Sequence, residues 1–189
     1  MSAWAWLVIG GMVVYGVGSL VPDMATALFG KHLRHAEIGG TDFYANVLYV
    51  VRDDSTSMQG TEQQLETQIE TLERSGMKVD QITVNGFGVK EARDDNLLHA
   101  IEESLLAKPK PDAIYAFSDF IRLDGEGQVL AYWASDDAGW TELERLLETH
   151  RVRLYLGTVR DEPVSRLEKI ARKSGGGLVD MKPPNTETP

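Results

Sequence analysis

The chain has no cysteine among its 189 residues. Disulfides, thiolate metal sites and a cysteine nucleophile are therefore excluded. The redox compartment stays open, because a cysteine-free chain suits either side of a membrane. Basic residues are also in short supply: 19 Lys and Arg stand against 29 Asp and Glu, a formal charge of −10. Binding a phosphate backbone needs a basic surface, so nucleic acid is excluded as the main partner. With 42% hydrophobic and 25% charged residues, the composition is that of a globular chain and not of a disordered or collagen-like one. A further absence is local. No charged side chain occurs before Asp23.

The uncharged stretch from Ala3 to Val21 reads AWAWLVIGGMVVYGVGSLV. It approaches the length that crosses about 30 Å of hydrocarbon as a helix. Trp4 and Trp6 suit an interfacial aromatic belt. Gly10, Gly11, Gly16 and Gly18 suit close approach by a second membrane helix. Residues 1–22 thus read as a transmembrane helix or uncleaved signal anchor. A cleaved signal peptide is the alternative, with Ala25-Thr26-Ala27 as a small-residue cleavage site, but the positive n-region is missing. A buried core helix is a third reading. Lys31 and Arg34 follow the segment, so the positive-inside rule places the soluble part in the cytoplasm. Two cations make a small bias, and a periplasmic or extracellular domain stays open.

Residues 23–42 read as a linker that ends on Gly39-Gly40. Beyond them, strand and helix patterns alternate over 43–181. Apolar runs at Ala45 to Val51, Gln81 to Phe87, Ala113 to Phe117 and Arg153 to Val159 predict strands. Leu65, Ile69 and Leu72 predict an amphipathic helix, as do Leu97, Ile101 and Leu105, then Trp140, Leu143 and Leu147, then Leu167, Ile170 and Ala171. Gln128 to Trp133 is a short extra strand and Leu178 to Met181 a last edge strand. The tail 182–189 reads as disordered. The alternation predicts an α/β fold: a doubly wound, mostly parallel sheet with helices on both faces. In such folds ligands bind beyond the carboxyl ends of the strands, where the strand order reverses.

The first strand runs into Arg52-Asp53-Asp54-Ser55-Thr56-Ser57-Met58, which contains Asp53-x-Ser55-x-Ser57. The third is followed by Ser118-Asp119. Carboxylates and hydroxyls at two strand ends suit a hard cation, because Mg²⁺, Ca²⁺ and Mn²⁺ prefer oxygen ligands.

This pattern resembles a von Willebrand factor type A domain with its metal-ion-dependent adhesion site, of the membrane-anchored bacterial type. The matched residues are Asp53, Ser55 and Ser57, then Asp119 after an apolar strand. The late segment, Leu154 to Val159 through Leu167 to Ala171 and on to Ser174-Gly175-Gly176, is also similar. The resemblance covers about residues 43–181. It implies a Rossmann-like sheet of order 3-2-1-4-5-6, and a metal held by Asp53, Ser55, Ser57, Asp95 and Asp119. It further implies Mg²⁺, or Mn²⁺ or Ca²⁺, as the ion, and binding of a protein partner with no catalysis. Two departures stand out. Asp95 falls where the family places a threonine ligand; a carboxylate there neutralises more of the ion's charge and weakens its attraction for an acidic partner. The family's antiparallel edge strand has no clear counterpart between Phe87 and Asp94.

The expected function is a membrane-anchored module that docks a protein partner through a cation, within a cell-envelope or membrane complex. A metal-independent scaffold subunit is the alternative. A Mg²⁺-dependent phosphotransfer enzyme is the weaker one. Its phosphatase form wants Asp-x-Asp, which Ser55 breaks; its receiver form wants a lysine where Val159-Arg160 stands. No residue is assigned a catalytic role.

Overall fold

A computed structural model describes residues 32–84, 97–123, 129–132, 138–158 and 165–181. The expected membrane helix at 1–22, the linker up to residue 31, Asp95 and the tail 182–189 lie outside the described residues.

The chain order is β1 (Arg34–Ile38), β2 (Thr41–Ala45), β3 (Val47–Asp53), a 3-10 turn (Thr56–Met58), α1 (Glu62–Arg74), β4 (Lys78–Val84), α2 (Leu97–Leu106), β5 (Ala113–Phe117), β6 (Ile121–Leu123), β7 (Val129–Tyr132), α3 (Ala138–His150), β8 (Arg153–Thr158), α4 (Ser165–Lys173) and β9 (Gly177–Asp180). Five strands form one sheet in the order β4-β3-β5-β8-β9, and every pairing in it is parallel. The fold is therefore α/β and Rossmann-like. Numbered within the sheet, the order is 2-1-3-4-5. The six-strand order with an antiparallel edge is not found among the described residues. The order reverses between β3 and β5, the place beyond whose carboxyl ends such folds bind ligands.

Burial on both faces explains the apolar runs. All five residues of β5 are buried, as a central strand of a parallel sheet requires. One face, including Val51, Ile114, Ala116 and Leu156, packs under α2, α3 and α4. The other, including Leu48, Val50, Tyr115 and Tyr155, packs under α1 and the β1–β2 hairpin. Helix α1 buries Leu65, Gln68, Ile69 and Leu72, one stripe at helical spacing. Gln68 accepts a hydrogen bond from the Tyr115 hydroxyl at 2.6 Å. Burial pushes that hydroxyl far above the usual phenol range, so it stays a donor.

Several boundaries differ from the sequence expectation. Residues 34–42 are not linker: β1 and β2 pair antiparallel from Arg34↔Ala45 to Ile38↔Thr41. Gly39 and Gly40 have φ of 54° and 72°, the left-handed pair that a two-residue hairpin turn demands. The alternating Ala36, Ile38, Phe43 and Ala45 are buried. Phe43 stacks on Tyr155 with centroids 4.0 Å apart, and the Tyr44 N–H donates to the Tyr155 hydroxyl at 3.1 Å. The hairpin thus seals the part of the sheet that α1 does not reach. Strand β4 begins at Lys78, earlier than Gln81, because its polar residues lie on an edge strand with one partner. Strand β3 continues through Asp53, which sits opposite Val84.

The amino ends of the strands are tied by Asp112. Its carboxylate accepts the backbone N–H groups of Asn46 and Val47 at 2.9 and 3.1 Å, and its carbonyl accepts the Arg153 N–H at 3.1 Å. Three strand starts are thereby held level, and so are the carboxyl ends that carry the site.

Close packing also fixes particular glycines. A Cβ on Gly176 would run into the Leu154 carbonyl. One on Gly60 would meet nothing, although φ there is +88°. Gly176→Ala is expected to destabilise by about 3 kcal/mol or more through a backbone clash. Gly60→Ala carries only left-handed strain of about 1 kcal/mol. Urea unfolding of both variants checks the order; equal losses would refute the packing at Gly176.

Candidate functional site

Three adjacent strand ends build the site. Arg52 pairs with Phe117 across β3 and β5, so the next residues, Asp53 and Ser118, stand side by side on the α2–α4 face. The Ser118 N–H donates to the Gly157 carbonyl at 3.1 Å, which sets Thr158 beside Ser118. Asp53, Ser118, Asp119 and Thr158 are all buried.

Asp53 organises the group. Its Oδ2 accepts the Ser118 hydroxyl at 2.6 Å. Its Oδ1 accepts the Ser55 N–H at 2.9 Å, a local side-chain turn of the kind aspartate favours. Only 2% of the residue is exposed. Among the described residues no cationic side chain pairs with it. Neighbouring Asp54 is different: it is exposed and faces Arg52 at 3.3 Å. Arg52 also reaches Glu66 on α1 at 3.4 Å, on the opposite face of the strand from Asp53.

The loop beyond Asp53 is held by its own bonds. Asp54 N–H donates to the Val84 carbonyl at 2.8 Å, and Met58 N–H to the Ser55 carbonyl at 2.9 Å. Met58 is buried among the α1-side core residues and anchors the 3-10 turn. Thr61 Oγ1 donates to the Met58 carbonyl at 2.6 Å. The turn leaves the Ser55 and Ser57 hydroxyls 3.1 Å apart.

On the β5 side, Ser118 has two tasks. Its hydroxyl donates to Asp53 and accepts the Phe120 N–H at 3.0 Å. Phe120 is fully buried with φ of 54°, a left-handed conformation rare for a bulky side chain. Ser118 thereby orders the short loop that carries Asp119, while strain is stored one residue further on.

The donor set fits a hard cation. Oxygens of an octahedral Mg²⁺ at about 2.1 Å lie roughly 3 Å from one another at adjacent positions, close to the Ser55–Ser57 spacing. Among the described residues no group of three or more His, Asp or Glu side chains is arranged to hold a metal. The described feature whose spacing matches such a donor set is the Ser55–Ser57 hydroxyl pair. Of the five residues expected as ligands, Ser55 and Ser57 are paired, Asp53 orients Ser55 through its backbone, Asp119 lies beside Ser118 in the chain, and Asp95 is outside the described residues. The sequence reading left out Ser118 and Thr158 as site residues. Their signal was their position at the carboxyl ends of the neighbouring strands β5 and β8. No family model matches the chain, and no curated protein matches it.

Replacing Ser118 by alanine removes its hydroxyl's hydrogen bonds to Asp53 Oδ2 and from the Phe120 N–H. The expected loss of stability is about 2–3 kcal/mol. In a double-mutant cycle with Asp53→Ala, the pair should couple by about 1–3 kcal/mol. Additive losses in chemical denaturation would show that the two side chains act separately.

Proposed function

We propose that the chain is a membrane-anchored protein-binding module of the von Willebrand factor type A kind. It docks a protein partner through a divalent cation at the carboxyl ends of β3 and β5, within a cell-envelope or membrane complex. The observation that carries this reading is Asp53: a buried carboxylate with no cationic partner among the described residues, beside two hydroxyls 3.1 Å apart. Buried charges are ordinarily paired or bound to metal.

Asp53, Ser55, Ser57 and Asp119 would hold the ion, with Asp95 as a further ligand and Mg²⁺, Mn²⁺ or Ca²⁺ as the candidates. When bound, the cation supplies a positive centre that attracts an acidic side chain of the partner. Asp53 contributes by fixing the loop: it holds the Ser55 N–H and the Ser118 hydroxyl and so brings two strand ends to one point. Asp95 limits the net positive charge, which favours a partner that also makes contacts outside the ion. Residues 1–22 keep the module at the membrane, with the domain on the cytoplasmic side by the positive-inside rule. The reading assigns no catalysis.

A metal-independent scaffold is the second reading, and one observation favours it. The bonds from Ser55 and Ser118 satisfy both Asp53 oxygens without an ion.

Thermal melting of the full chain in detergent separates the two. At a hundredfold excess over Kd, Mg²⁺ or Mn²⁺ should raise the melting temperature by roughly 5–10 °C relative to EDTA. The exposed Ser57→Ala substitution should remove most of that rise while leaving the EDTA value near the parent's. Identical melting with ion and with EDTA would favour the scaffold.

A further inference from the structure

Among the described residues, two that are not glycine have a left-handed backbone: Phe120 and Arg151, each at φ 54°. Arg151 is exposed just beyond the carboxyl end of α3, where a left-handed residue is a common way to stop a helix. Phe120 has no helix to stop. It is fully buried and directly follows Asp119, between the end of β5 and the start of β6. The corner there takes the chain out of the five-stranded sheet and into the separate β6–β7 pair. Glycine or asparagine makes a left-handed corner at little cost. A bulky aromatic makes it under strain, and such strain persists only where the surrounding structure over-determines it.

Two attachments hold Phe120. Its N–H donates to the Ser118 hydroxyl at 3.0 Å. Its side chain belongs to the same core cluster as Val51 of β3, Val84 of β4, Ile101 of α2 and Leu156 of β8. On the other side of Asp119, Ser118 is fixed twice. Its hydroxyl donates to Asp53 at 2.6 Å, and its N–H donates to the Gly157 carbonyl at 3.1 Å. Asp119 is therefore one residue clamped between two fully buried neighbours. Ser118 ties it to the strand ends, and Phe120 ties it to the core under α2. Removing the ring would free one end of the clamp and leave the other in place.

We propose that Phe120 is a positioning residue for the cation site: its buried ring holds the left-handed corner and thereby fixes where the Asp119 carboxylate stands. The proposal rests on the cation reading of the strand ends. Phe120 has no side-chain oxygen to offer an ion, so it acts through Asp119. Glycine at the corner would leave it free of strain and free to move, whereas phenylalanine accepts the strain and fixes the direction. A ligand held in place before the ion arrives loses less freedom on binding, which tightens the complex. Residues that orient a metal ligand without touching the metal commonly govern affinity in this way.

The test measures the Mn²⁺ affinity of the full chain in detergent, from the electron paramagnetic resonance of the free ion. The variants are Phe120→Gly, Phe120→Leu, Asp119→Asn and each Phe120 change combined with Asp119→Asn. The urea midpoint in EDTA reports the stability of each variant separately from its affinity. Phe120→Gly should weaken Mn²⁺ binding by about tenfold or more. Phe120→Leu keeps an apolar side chain but fills less of the core, so it should weaken binding by a smaller factor; it carries the test if glycine prevents folding. Asp119→Asn should cost at least as much as Phe120→Gly. Added to Asp119→Asn, neither change at Phe120 should weaken binding further, because both act on the same ligand. A residue that serves only the fold would lower the urea midpoint and leave the affinity alone. Parental affinity in both Phe120 variants, or losses that multiply with that of Asp119→Asn, would overturn the proposal and leave the cation reading standing. No Mn²⁺ binding by the parent chain would overturn both.

Discussion

The hydrogen bond from Ser118 to Asp53 joins the two strands between which the sheet reverses. It spans 65 residues of sequence and closes inside the protein, where a polar group left without a partner is expensive. Much of the carboxyl end of the sheet follows from it. Asp53 reaches forward to the Ser55 N–H and so starts the turn that sets two hydroxyls together. Ser118 reaches forward to the Phe120 N–H and so shapes the loop that carries Asp119. One bond thus aligns both halves of the candidate site, and the remaining requirement is that the strands arrive level.

Level arrival is a property of the opposite end. Asp112 gathers backbone donors at the starts of β3 and β8, which fixes the relative heights of three parallel strands. Between the two ends lies a sheet buried on both faces, but by unlike covers. Three helices pack on one face. On the other, α1 is joined by a β-hairpin whose Phe43 and Tyr44 engage Tyr155. The hairpin takes the area that a second helix would occupy in a symmetric doubly wound fold. It also packs the amino-terminal strand of the described domain against the core through Ala36 and Ile38.

The sheet could be read from the residues because its inner strands are unbroken apolar runs. AIYAF leaves little choice at β5, and Leu65, Ile69 and Leu72 leave little at α1. The Asp53-x-Ser55-x-Ser57 and Ser118-Asp119 motifs could be placed at strand ends for the same reason: they directly follow those runs. What escaped was everything whose cause is distant in sequence. The hairpin looks like a linker until Phe43 finds Tyr155, 112 residues on. Lys78 to Asp80 is too polar to read as a strand until β3 supplies the partner that an edge requires. Ser118 looks like a loop serine until register places it beside Asp53. Single-residue chemistry is visible locally, whereas its pairing is a consequence of topology.

The central claim is that the hydroxyl pair and the aspartates at the β3 and β5 ends form one cation site. Paramagnetic Mn²⁺ tests it most directly, because relaxation falls steeply with distance and so reports position. With substoichiometric Mn²⁺ added to the isotopically labelled full chain, amide resonances of Ser55, Ser57 and Asp119 should broaden first, and excess Mg²⁺ should restore them. Broadening spread over the glutamates of α1, or none at Ser55 and Ser57, would contradict a site at the strand ends.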